Sequence, residues 1–256
     1  MVKFAFLMLL CLSLNAFAQF NGSLDLSMRT KPFQYNGILT GAYDGLLWGS
    51  VDKTKGTYGY YRVGAKLGGS PTAAAFLQVA PIAPVVFEIQ KSTTYRFLKT
   101  DLMDCDAYEC LRKVDRLNYS VKLGGAYKKF FVMSKFMLSD VQPDGSNKPF
   151  YLEYESFVIP QARYCRYFEN TTLAGYKIDD LQSAGLLYQG GELTGTSSHF
   201  YFGYAVYIRK LEWADLAAGL GYTENSGVPE AARGKFQGYS ALLAISRSFG
   251  DTLSLF

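Results

Sequence analysis

The chain has 256 residues and a formal charge of +4, with 49% apolar and 19% charged residues, too apolar to stay disordered. Its lysines and arginines are scattered, with no basic run or RNA-binding motif, which excludes nucleic acid as a partner. Aromatic residues make up 16%, from 20 Tyr and 19 Phe against 2 Trp, with one histidine and 8 Pro; such a loading suits strands and membrane interfaces.

Met1 to Ala18 opens with Lys3, runs through the apolar stretch Phe4 to Leu14 and ends in Ala16-Phe17-Ala18, the small-x-small pattern read by signal peptidase. Cleavage before Gln19 is expected, because that apolar core is too short for the roughly 20 residues a spanning helix needs. Leu10 stands before Cys11, where lipoprotein sites resemble Gly, Ala or Ser, so lipidation is not expected. Beyond Ala18 no apolar run reaches helical spanning length, and the longest, Val79 to Phe87, is cut by Pro81 and Pro84.

The period that recurs is two, in blocks of about ten residues between turn-formers. Candidate strands cover Phe20 to Arg29 and Gly37 to Trp48. In the next, Tyr61, Val63, Ala65 and Leu67 alternate with Tyr60, Arg62, Gly64 and Lys66. Thr72 to Ala80 and Val85 to Phe97 follow, then a charged loop from Leu98 to Arg116. Leu117, Tyr119, Val121, Leu123 and Tyr127 oppose Asn118, Ser120, Lys122, Gly124 and Ala126, and Phe131 to Leu138 is the following candidate. Phe150, Leu152, Tyr154 and Val158 oppose Tyr151, Glu153, Glu155 and Phe157; Tyr164 to Ala174 and Ala184 to Leu193 come next. The clearest block, His199 to Arg209, sets Phe200, Phe202, Tyr204, Val206 and Ile208 against His199, Tyr201, Gly203, Ala205, Tyr207 and Arg209. Ala214, Leu216, Ala218, Leu220 and Tyr222 then oppose Asp215, Ala217, Gly219 and Gly221, and Tyr239, Ala241, Leu243 and Ile245 oppose Gly238, Ser240, Leu242 and Ala244.

This alternation predicts an all-β, antiparallel up-and-down transmembrane barrel over residues 19–256, as one domain of about twelve strands, within a range of ten to fourteen. Thirteen segments are visible, and single-chain bacterial barrels have even numbers, so Phe20 to Arg29 is set aside as a periplasmic lead-in. That choice puts Thr223 to Lys235 outside and Leu98 to Arg116 inside. A secreted soluble β-sandwich or lipocalin-like barrel alternates in the same way. Against it, the second face carries Gly, Ala, Ser and Tyr with isolated charges, and aromatics gather at block ends, as at Tyr58-Tyr60-Tyr61, Phe130-Phe131 and Phe200-Tyr201-Phe202.

Through its export signal, its alternating blocks and its terminal Phe256, the chain resembles bacterial outer-membrane β-barrels as a class, across nearly all the mature sequence. The assembly signal of that class looks like alternating apolar residues ending in an aromatic; Tyr239, Ala241, Leu243, Ile245 and Phe249 fit it, interrupted by Arg247. The resemblance implies the outer membrane of a Gram-negative cell, with membrane lipid and the barrel assembly machinery as partners. Outer-membrane hydrolases resemble one another in needing a histidine beside a nucleophile or carboxylate. His199, in Thr196-Ser197-Ser198-His199-Phe200-Tyr201, lacks both the His-x-Ser and the Asp-x-His arrangements, so no enzymatic activity is expected.

Export to an oxidising compartment allows a disulfide between Cys105 and Cys110, leaving Cys165 unpaired, although all three pairings are formally open. No zinc spacing is present, and Asp101, Asp104, Asp106 and Glu109 lack the alternation and Gly of a calcium loop, so neither metal nor cofactor is expected. Arg62, Lys66, Glu88, Lys122, Glu153, Glu155, Arg209, Asp215 and Arg247 are the candidate lumen-facing charges. They either line a water-filled pore and tune weak ion selectivity or pair into a network that fills the lumen. Twelve strands enclose more space than the eight that side chains just fill, which favours a passive channel or small-solute transporter over a structural or surface-interaction barrel.

Overall fold

The computed structural model describes residues 19–30, 33–52, 56–68, 72–95, 113–144, 164–194, 199–226, 237–250 and 253. They form twelve strands: β1 (Gln19–Thr30), β2 (Phe33–Trp48), β3 (Gly59–Gly68), β4 (Thr72–Ile82), β5 (Val85–Tyr95), β6 (Lys113–Tyr127), β7 (Phe130–Pro143), β8 (Cys165–Lys177), β9 (Gln182–Leu193), β10 (His199–Lys210), β11 (Asp215–Asn225) and β12 (Gly238–Phe249). Each pairs antiparallel with its neighbours in sequence, and β1 pairs with β12 from Gly22↔Phe249 to Arg29↔Leu242, closing the barrel. Closure leaves no sheet edge, so every strand finds its backbone partners inside the wall.

Phe20 to Arg29 is therefore the closing strand and not a lead-in. Its sequence alternates as a wall strand must: Phe20, Leu24, Leu26 and Met28 point out, while Asn21, Asp25 and Arg29 point in. With β1 in the wall, the connection over 96–112 shares an end with that over 226–237, so Leu98 to Arg116 is not on the inner side as expected, while Thr223 to Lys235 keeps its side. The connections over 96–112, 145–163 and 226–237 leave the same end of the barrel, with those at 31–32, 69–71 and 194–198. Both barrel termini, Gln19 and Phe249, lie at the other end with the connections 49–58, 83–84, 128–129, 178–181 and 211–214. The three longest connections outside, with both barrel termini inside, is the orientation expected of such a barrel. The signal segment 1–18, the block Phe150 to Val158, the cysteines Cys105 and Cys110, the acidic group Asp101 to Glu109 and the terminal Phe256 lie outside the described residues.

The outer face is apolar. Leu24, Leu26, Leu39, Val63, Leu67, Leu77, Ile89, Leu123, Val132, Leu186, Leu220 and Leu243 are exposed there. Aromatic pairs stand at the periplasmic edge of this belt, with Phe20 and Tyr43 at 5.2 Å and Phe130 and Tyr176 at 5.1 Å between ring centroids. Tyr222 and Tyr239, 5.9 Å apart, stand at the opposite edge. Beyond that edge the outer face turns polar: Asp115 accepts from Thr93 and pairs with Lys113 at 3.0 Å, and Arg166 makes two contacts to Asp140, at 2.6 and 3.2 Å. Tyr164 also donates to Asp140, which holds its phenol above the ordinary range. Water would never cover so continuous an apolar band without aggregation, whereas lipid does. This is a transmembrane barrel of the outer-membrane form, and the outer membrane is the location that form implies.

Candidate functional site: the lumen

The inner face is built from the alternate residues of each strand, and its chemistry changes around the circumference. On β3 to β7 it is charged. Glu88 of β5, 4% exposed, accepts from Gln78 of β4 at 2.5 Å and Ser120 at 3.4 Å, and pairs with Lys122 of β6 at 3.1 Å. Lys66 of β3 lies 4.0 Å from the same carboxylate and donates to Gln90 at 2.7 Å. Nearer the periplasmic end, Arg62 of β3 pairs with the fully buried Asp44 of β2 at 3.3 Å and donates to Asn21 of β1 at 2.6 Å. Four of the candidates read from the sequence, Arg62, Lys66, Glu88 and Lys122, are thus brought onto one wall.

The other candidates fall elsewhere. Glu153 and Glu155 lie outside the described residues. Asp215 is on the inner face but at the exposed periplasmic rim, opposite Ser246 and Lys210. Arg209 and Arg247 are on the outer face: Arg209 is paired in register with Leu216, and Arg247 stands over the Phe249 ring at 5.2 Å. Both sit in the last residues of their strands, where a long stem lies along the apolar belt and the guanidinium reaches the headgroups.

The face of β10 is the reverse of the one that its periodicity invited. Phe200, Phe202, Tyr204 and Val206 point inward and are buried, while His199, Tyr201, Gly203, Ala205 and Tyr207 point out. The neighbouring inner residues of β11 are Ala217, Gly219, Gly221 and Thr223. The large rings of β10 lean over this small surface: a Cβ on Gly219 would come 2.9 Å from Val206, and one on Gly221 2.7 Å from Tyr204. Arg29 of β1 caps the Phe202 ring at 4.0 Å, and Tyr204 bonds to Ser240 of β12 at 3.0 Å. A cluster of aromatic residues on a strand thus reads as lipid-facing when its neighbours' small side chains are ignored.

The periplasmic mouth is partly filled. Tyr58, Tyr60, Ala80, Ala83, Val86 and Leu253 form a buried apolar cluster on the β2 to β5 side. Leu253, beyond β12, donates its backbone N–H to Asp44 at 2.8 Å, and its carbonyl accepts from Tyr58 at 2.8 Å. Burial, then the Asp44 carboxylate, pushes the Tyr58 phenol above its ordinary range. Across the lumen at the same end, β8 and β9 set Gly175 opposite Gly185, and the Phe131 ring of β7 lies over Gly175.

In the outer half of the barrel the lumen widens into a cavity of about 390 Å³ that reaches Gly68 and Thr72 at the rim. Arg29, Lys66 and Lys135 supply three cations and Glu169 one carboxylate, among the amides of Gln34, Asn36, Gln90, Asn118 and Gln189. Lys135 escaped the sequence reading because Phe131 to Leu138 alternates weakly, with Ser134 outside and Met133 and Met137 inside.

His199 stands on the outer rim, its ring stacked on Tyr201 and its Nδ1 3.0 Å from the Ser226 hydroxyl. That hydroxyl also donates to the His199 carbonyl at 3.2 Å and accepts from its N–H at 2.9 Å. These contacts tie Ser226 to the backbone of His199 and close a strand end. Among the described residues no group of three or more His, Cys, Asp or Glu side chains gathers as a metal site would need.

No protein-family model and no curated protein matches the chain. Among solved structures, the outer-membrane protein OmpT of Vibrio cholerae is 10% identical, with a TM-score of 0.45, over 91% of this chain and 97% of that one. An anion-selective porin from Comamonas acidovorans is 8% identical, with a TM-score of 0.41, over 92% and 99%. The translocator domain of the autotransporter NalP from Neisseria meningitidis is 7% identical, with a TM-score of 0.40, over 96% and 94%. At such distance these resemblances carry nothing about function.

Proposed function

We propose that this barrel is a passive channel for small polar solutes in the outer membrane of a Gram-negative cell. The observation that carries the reading is the polar cavity of about 390 Å³ opening at the long-loop end. A purely structural barrel gains nothing from it: holding Lys66, Lys122 and Lys135 on one wall around one carboxylate costs desolvation and mutual repulsion. Water in a conducting lumen relieves that cost.

Refolded protein in planar bilayers is expected to give discrete single-channel steps; their absence would overturn the channel. We read the barrel as non-catalytic, since Ser226 is held by the His199 backbone. Ser226→Ala and His199→Ala are expected to leave lipid and peptide hydrolysis at the background of the parent, and activity abolished by both would refute this.

A further inference from the structure

Lys122 and Lys135 sit directly opposite one another across β6 and β7 on the inner face. Like charges in that position repel, and a barrel wall normally avoids them. Glu88 reaches Lys122, at 3.1 Å, and Lys66, at 4.0 Å. Lys135 makes no hydrogen bond or ion pair among the described residues and lines the outer cavity. There it joins Lys66 and Arg29, against the single carboxylate of Glu169, which is engaged by Thr171 at 3.3 Å and Gln189 at 3.2 Å. The side chains that line the cavity thus carry two more cations than carboxylates, an excess that counting Lys122 and Glu88 beside it leaves unchanged. Its remaining polar groups are mostly carboxamides, each offering both donors and acceptors. Ammonium groups fix an anion, and carboxamides around it recognise hydroxyls; the volume is that of a small-molecule site.

We propose that this cavity is a binding site for small hydroxylated carboxylates, held by Lys135 and Lys66 at the carboxylate end and by the surrounding amides along the hydroxyls. It names the solute class of the channel proposed above and rests on that reading for its role in transport, but the binding itself can be measured without conductance.

The test is calorimetry on the detergent-refolded full barrel at low ionic strength, with gluconate as the probe and sorbitol, which keeps the hydroxyls and lacks the carboxylate, as the control. Gluconate is expected to bind at least tenfold more tightly than sorbitol, and Lys135→Gln to weaken it about tenfold. Glu169→Gln, which removes the cavity's only carboxylate, is expected to tighten it severalfold. Retained heat-modifiable gel mobility shows that each variant is folded; if Lys135→Gln fails to fold, Glu169→Gln carries the test. Equal affinity for gluconate and sorbitol, no binding of either, or unchanged affinity in both variants would overturn the site. Inorganic sulfate displacing gluconate as well as gluconate itself does would overturn its preference for hydroxylated carboxylates. Binding without single-channel steps would refute the channel and keep the site, and steps without gluconate preference would do the converse.

Discussion

Glu88 is the residue on which the charged wall depends, because its two oxygens serve Gln78, Ser120, Lys122 and Lys66 together. Glu88→Gln keeps the shape and removes the charge, leaving Lys66 and Lys122 uncompensated. Equilibrium urea unfolding in lipid vesicles is expected to show a loss of about 3 kcal/mol. A different residue-scale effect is expected at Lys128, in the two-residue turn between β6 and β7. Its φ of 55° is the only positive value among the described non-glycine residues. A Cβ in the left-handed region is unfavourable by about 1 kcal/mol, so Lys128→Gly should raise stability by that order in the same measurement.

Among the elements, β10 and β11 work as a pair. The inner surface of β11 is small because β10 lays Phe202, Tyr204 and Val206 across it, and each strand's composition makes sense only beside the other. A side chain at Gly221 would overlap the Gly203 carbonyl oxygen of the neighbouring backbone. Backbone cannot give way as a flexible side chain can, so Gly221→Leu is expected to abolish the heat-modifiable gel shift, the mark of barrel closure. Aromatic cover over glycine recurs on the outer face, where the Tyr61 ring lies on Gly45 of the adjacent strand.

For the whole molecule, the lumen runs from a wide, cationic outer cavity to a periplasmic mouth narrowed by Tyr58, Tyr60, Val86 and Leu253. Leu253 is latched by Asp44 on β2 and by Tyr58 just before β3, beyond the closing strand β1. Leu253→Asp would set a carboxylate into an apolar cluster and against Asp44, an arrangement that repulsion and desolvation both oppose. The contact is then expected to open, and single-channel conductance in planar bilayers to rise above that of the parent; an unchanged conductance would show that the mouth does not limit flow.

By itself the sequence determined the all-β barrel, its approximate strand number and the lumenal placement of Arg62, Lys66, Glu88 and Lys122, because alternation with period two is a local property of each strand. It also carried the outer-membrane resemblance. Only the tertiary structure decided which face of β10 points inward, since the apolar rings there are buried by small residues on β11 and by Arg29 from β1. Closure likewise made β1 a wall strand, and that in turn set which loops share an end. The pairing of Lys122 with Lys135 follows from the register between β6 and β7, and the cationic cavity follows from that register. Period two tells two faces apart but does not label them, and the labels come from what each face meets across strands distant in sequence.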